Sequence, residues 1–99
     1  MEITKNKNEN SIVLTLSGRL DTVTSPKLQD ALAEDLSDSD EVVLDFSGID
    51  YVSSAGLRVL LFGQKKAHSS GKTMKLIGVS TEVMEVFDVT GFSGMLTID

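Results

Sequence analysis

Beyond residue 20 the apolar pattern changes period repeatedly, with segments of helical spacing alternating with short runs rich in β-branched residues. This alternation constrains the chain strongly. Strands joined through helices line up parallel, and right-handed crossovers place the helices beside the sheet. The first helical segment is "SPKLQDALAEDL", with Leu28, Ala31, Leu32 and Leu36 at helical spacing, Ser25 as candidate N-cap and Pro26 in the first helical position. The turn "SDSDE" then leads into "VVLDF", a run suited to a central strand. The stretch "YVSSAGLRVLLFG" follows and predicts a helix from about Ser54 until Gly71 stops it. That helix is apolar over more than half its circumference, so burial is expected for Leu57, Leu60 and Leu61 and also for Val59 and Phe62. "TMKLIGV" reads as a further strand, "STEVMEVFDVTG" as a helix with Val83, Val86 and Phe87 on one face, and "MLTI" as a last strand.

Ahead of these, "SIVLTLSG" alternates Ile12, Leu14 and Leu16 against Val13, Thr15 and Ser17, the signature of a strand with one buried face. The weaker extended stretch "EITKNK" can pair with it through the polar "NEN" turn as an edge hairpin. The order is therefore β-β-α-β-α-β-α-β. It predicts an α/β fold with a mixed, mostly parallel sheet of four to five strands and helices packed on it. At 99 residues the chain has room for a single domain spanning residues 1–99.

Composition narrows the function. Hydrophobic residues make up 40% and charged residues 24%, as in an ordinary globular protein. With no cysteine, disulfides and thiol chemistry are out of reach and a reducing cytoplasm fits. The N-terminus lacks the basic start and unbroken apolar core of a signal peptide, and no run approaches the ~20 residues of a membrane span. A net charge of −6 with scattered basic residues argues against direct nucleic-acid binding and favours protein partners.

Three features imitate chemistry. "SSGKT", Ser69 to Thr73, resembles the end of a phosphate-binding loop, but Lys66 stands where that loop needs a glycine, and the stretch runs from helix to strand. A helix C-cap and solvated loop is the better reading. A serine hydrolase would need a base for Ser54, and the one histidine, His68, lies fourteen residues on, ~21 Å along a continuous helix. His68 suits the positive charge favoured in a last helical turn. Asp21, Asp45 and Asp50 could converge near strand ends, yet no other ligand type stands at a diagnostic spacing, so turn aspartates are the reading and no metal or cofactor is expected.

The pair Ser53 and Ser54 is different. Either could cap the helix by accepting a first-turn N–H. The apolar pair Tyr51 and Val52 is expected to anchor the loop in the core and hold the serines at a fixed exposed point. Gly56, inside the first turn, costs about 1 kcal/mol relative to alanine unless another group approaches closely there. An open helix N-terminus also accommodates a phosphate through its free N–H groups and dipole.

On "LSGRLDTVTSPKL", "VVLDFSGIDYVSSAGLRVLL" and "VFDVTGF" the chain resembles the STAS domain family (sulfate transporter and anti-sigma factor antagonist) over nearly its whole length. Within it, the similarity is to the small single-domain bacterial anti-sigma factor antagonists. In that family a serine two residues before the motif glycine is phosphorylated by the partner anti-sigma factor, itself a kinase, and here that position is Ser54. Many members carry aspartate where this chain has Ser53, which makes Ser53 the second choice.

The resemblance implies a phosphorylation-gated interaction that releases a sigma factor and so regulates transcription. The implied partner surface comprises Asp21, Thr22, Thr24 and Ser25 in one loop, with Ser53, Ser54, Ala55, Gly56 and Arg58 at the helix start. Asp21 is expected beside Ser54, oriented toward the partner and contributing to function more than to fold. An anti-sigma factor with serine kinase activity and a serine phosphatase are the implied partners, and the chain itself is not expected to be an enzyme. The alternative is a STAS docking subunit of another assembly, such as a lipid-transport complex or a stress-signalling scaffold, without sigma-factor control.

Overall fold

The computed structural model describes residues 1–99. The alternating segment near the start forms β2 (Ser11–Leu20), and the polar stretch before it forms β1 (Glu2–Asn8), antiparallel to β2 with Asn8 opposite Ser11. Glu9, with φ 55°, makes the tight turn between them. The remaining elements are α1 (Ser25–Asp38), β3 (Glu41–Val52), α2 (Ser54–Ser69), β4 (Thr73–Ile77) and α3 (Thr81–Thr90). Both β2–β3 and β3–β4 are parallel, and the sheet order is β1-β2-β3-β4, so the predicted mixed sheet is present.

The pleat decides which residues meet the helices. Leu14 and Leu16 of β2, Val42, Leu44 and Phe46 of β3, and Met74 and Leu76 of β4 share one core with residues from all three helices. Because those strand residues lie on one face, all three helices cover that face. Val13, Thr15, Val43, Asp45 and Lys75 alternate onto the other. Leu28, Leu32, Leu60 and Phe87 are fully buried on the helical side. Burying one such side chain stabilises the fold by about 1.5–3 kcal/mol. Across the edge of this core, Lys5 of β1 pairs with Asp35 of α1 at 3.1 Å, over a carboxylate residue only 5% exposed.

Several expectations change in detail. The run "MLTI" makes a single parallel bridge, Leu76 to Ile98, rather than a full strand, because a 3₁₀ turn at Phe92–Gly94 brings the chain in late. Ser25 is the first helical residue of α1 and is buried, so it is not the N-cap. Tyr51 is 42% exposed rather than anchored in the core, while Val52 is buried as expected. β3 continues through both, straight to the serines, where "VVLDF" alone suggested a shorter strand. In α2, Leu57, Val59 and Leu60 are buried, and Leu61 and Phe62 are half-buried.

Candidate functional site

Two chain segments meet at the C-terminal ends of β2 and β3. Register places Leu20 beside Val52, and the next residue along, Ser53, donates its N–H to the Leu20 carbonyl at 2.9 Å. The loop leaving β2 and the helix following β3 therefore start side by side.

The loop is organised by Asp21. Its Oδ1 accepts the backbone N–H groups of Val23 and Thr24, each at 3.0 Å, forming an Asx-type turn. Thr24 turns its hydroxyl back toward the strand, donating to the Arg19 carbonyl at 2.7 Å and accepting the Asp21 N–H at 2.9 Å. Ser25 donates its hydroxyl to the Asp21 carbonyl. These contacts turn Oδ1 of the Asp21 carboxylate onto its own loop, so Asp21 organises the local fold as well as standing at the expected surface. They also hold that carboxyl below the usual carboxylate range. The Thr24 N–H is the chief cause, with the Thr24 hydroxyl, the Val23 N–H and the Arg19 charge adding to it against partial desolvation. Arg19 lies 3.8 Å from the other carboxylate oxygen and stacks over the Tyr51 ring at 4.0 Å.

The helix start divides its two serines. Ser53 has extended backbone angles, φ −88° and ψ 173°, and its Oγ accepts the Gly56 N–H at 3.2 Å. It is the N-cap, with its hydroxyl committed to the helix. Ser54 is the first helical residue, exposed, and its hydroxyl bonds to no group of the chain. Gly56 is buried against β2. A Cβ placed there would stand 2.9 Å from the Leu20 carbonyl oxygen and 2.8 Å from Leu20 Cγ. That close approach is the use of a glycine in a first turn.

Between the two segments lies a shallow depression of about 190 Å³, lined in part by Thr22, Ser25, Pro26, Ala55 and Arg58. The expected surface residues are thus brought to one end of the domain, with Thr22, Ser54 and Arg58 exposed and Ser25 and Gly56 buried beneath. Sequence reasoning missed Val23, 86% exposed at the loop tip, although a lone valine within "DTVTS" was a visible signal. Pro26 and Gln29, on the α1 side of the same depression, were also missed.

The decoys lie elsewhere. His68 occupies the far end of the continuous helix α2, beside the largest surface depression, about 410 Å³, which has no part in the serine site. In the "SSGKT" stretch, Gly71 has φ 69° past the helix end, and the Lys72 ammonium donates to the Ser37 carbonyl of α1 at 3.0 Å. Asp45 accepts the Ser47 N–H at 3.0 Å, and Asp50 lines a depression beside Ser80. Neither joins Asp21.

Residues 3–97 match the family model described as "Mlab, STAS domain". The chain is 30% identical over 99 residues to BtrV of Bordetella bronchiseptica, covering 99% of this chain and 85% of that protein. It is 26% identical over 92 residues to the anti-sigma-B factor antagonist of Bacillus subtilis, covering 93% of this chain and 84% of the relative. The solved structure of unphosphorylated SpoIIAA, an anti-sigma factor antagonist, superposes with a TM-score of 0.83 at 15% identity over 99% of this chain and 88% of that one. At that identity the likeness is one of fold.

Proposed function

The chain belongs to the STAS domain family, and from that premise we propose that it is an anti-sigma factor antagonist switched by phosphorylation of Ser54. Unmodified, the Asp21–Ser25 loop and the start of α2 dock an anti-sigma factor with serine kinase activity, and the sigma factor is released. The kinase then transfers the γ-phosphoryl group of ATP. The Ser54 Oγ–P bond forms as the bond to the β-phosphate oxygen breaks, the hydroxyl proton passes to a base of the kinase, and ADP leaves. This chain is substrate and ligand, and a serine phosphatase restores the docking state. The setting is the cytoplasm.

The observation that carries this reading is the division of labour between the serines. Ser53 is occupied as the N-cap, whereas Ser54 stands exposed with an uncommitted hydroxyl on the surface that would meet the partner. A phosphate on Ser54 adds about −1.5 to −2 charges and desolvates poorly in an interface. At the first helical position the dipole and free N–H groups tolerate it, so the domain stays folded and only docking is lost.

The test is incubation with the cognate kinase and ATP, followed by mass spectrometry of the peptide that carries both serines. Phosphate is expected on Ser54, Ser53→Ala should remain a substrate, and Ser54→Ala should bind the partner permanently. Phosphate on Ser53, or partner binding that ignores both serines, would instead mark a constitutive docking subunit of another assembly.

A further inference from the structure

Arg58 stands four residues after Ser54 on α2, about 40° around the helix and about 6 Å along it, so the two side chains share one exposed face. Its guanidinium takes part in none of the three ion pairs of the structure, and it borders the depression between the loop and the helix start. Three charged groups close to it are engaged elsewhere. Arg19 is drawn to Asp21 and Tyr51, Asp21 is bound by its own loop, and Lys27 of α1 points its ammonium at the Met1 carbonyl, 3.4 Å away. An anionic residue followed four positions later by a cation is the favourable orientation for a helical ion pair, and phosphate with guanidinium can pair through two parallel hydrogen bonds.

We propose that Arg58 is the built-in counter-ion of the Ser54 switch: free for an acidic group of the partner while Ser54 is unmodified, and drawn one helical turn back onto the phosphate once Ser54 is modified. This rests on the reading of Ser54 as the phosphorylated residue. Phosphorylation then changes the docking surface twice, adding an anion and withdrawing a cation. Arg58 is a positioning residue in this scheme and touches no reacting atom during transfer. The second change accounts for how one phosphate can silence a surface that remains folded.

The experiment uses the full chain with phosphoserine genetically encoded at position 54, so it needs no kinase, and failure of the kinase assay above stays distinguishable from failure here. The second ionisation of the phosphate is followed by ³¹P NMR. With Arg58 in place it should titrate about 0.2–0.4 pH units lower than in Arg58→Gln, as expected for one exposed helical ion pair. Arg58→Lys should recover part of the shift, and about 1 M salt should remove most of it. Arg58 is exposed, so all three proteins should fold alike. Identical titrations in the unsubstituted and Arg58→Gln proteins would overturn the proposal, as would a shift abolished by Arg19→Gln instead.

Discussion

Replacing Gly56 by alanine separates two opposed effects that the sequence alone cannot rank. In an exposed helix alanine is better than glycine by up to about 1 kcal/mol. Here the new Cβ would meet the Leu20 carbonyl oxygen at 2.9 Å, Leu20 Cγ at 2.8 Å and Val52 Cγ1 at 3.1 Å. Two of these neighbours cannot yield locally. The Leu20 carbonyl is backbone and already accepts the Ser53 N–H, and Val52 is β-branched and stiff at χ1. Relief requires α2 to lift from β2, at an overpacking cost of about 1–3 kcal/mol, and weakening the Ser53–Leu20 hydrogen bond adds about 0.5–1.5 kcal/mol. After subtracting a full propensity gain of about 1 kcal/mol, Gly56→Ala should lose about 0.5–3.5 kcal/mol. Gly63→Ala is the internal control, because the atoms its Cβ would approach most closely are Met74 Sδ at 2.7 Å and Leu32 Cδ1 at 2.9 Å, the ends of flexible side chains. It should stay within about 1 kcal/mol of the unsubstituted chain. Urea unfolding followed by circular dichroism reads both. A loss of 2 kcal/mol moves the midpoint by about 1–2 M at m of about 1–2 kcal/mol/M. Gly56→Ala as stable as the unsubstituted chain, or Gly63→Ala the more damaging of the two, would refute the close-approach argument.

Three further outcomes are expected. Ser53→Ala should cost about 0.5–2 kcal/mol through loss of the cap, whereas Ser54→Ala should stay within about 0.5 kcal/mol; equal losses in thermal or urea unfolding would contradict the assignment of the cap to Ser53. Lys5→Ala should cost about 1–3 kcal/mol, because it leaves the nearly buried Asp35 without its 3.1 Å partner, and a double substitution with Asp35→Leu should recover part of that loss. The Asp21 carboxyl, held low in the folded chain, should support its loop above the unfolded carboxylate pKa and release it as pH falls through the lower folded value. A ¹³C carboxyl titration in which Asp21 ionises with the exposed aspartates would remove this contribution.

The parts of the fold legible in the sequence were those where periodicity and burial agree. In "SIVLTLSG" Ile12, Leu14 and Leu16 alternate into the core, and in "LRVLLFG" the apolar residues lie at helical spacing. What escaped notice depended on contacts between distant segments. Nothing in "TSPKL" shows that Ser25 lies inside the helix, because the competing organiser, Asp21, acts from outside that segment. Tyr51 reads as a core residue until register places it beside Arg19, whose guanidinium covers the ring at the surface. "MLTI" has the composition of a strand, but its pairing with β4 is limited to one bridge, Ile98 opposite Leu76, made through the Thr97 carbonyl and the Asp99 N–H. The candidate site was legible in a different way. Ser54 was marked by its distance from Gly56, but its free hydroxyl, and the capture of Ser53 as cap, needed the geometry of the first turn.

The spatial order of the four strands is the order in which they occur along the chain. No strand has to be inserted between two neighbours already paired. A chain emerging from the ribosome N-terminus first can close the β1–β2 hairpin and then add β3 and β4 in turn to an edge already standing, each delivered by the helix before it. The sheet should therefore grow in one direction during synthesis, with the exposed template moving outward at each step. Nascent chains stalled with residues up to about 55 outside the ribosome tunnel should already protect the amides of β1 and β2 from exchange. The last edge to be blunted is that of β4, where the Leu76 N–H and carbonyl remain open until Thr97 and Asp99 arrive to pair with them. Until that moment the growing chain offers a neighbouring copy a pairing edge that the finished fold has covered at this point.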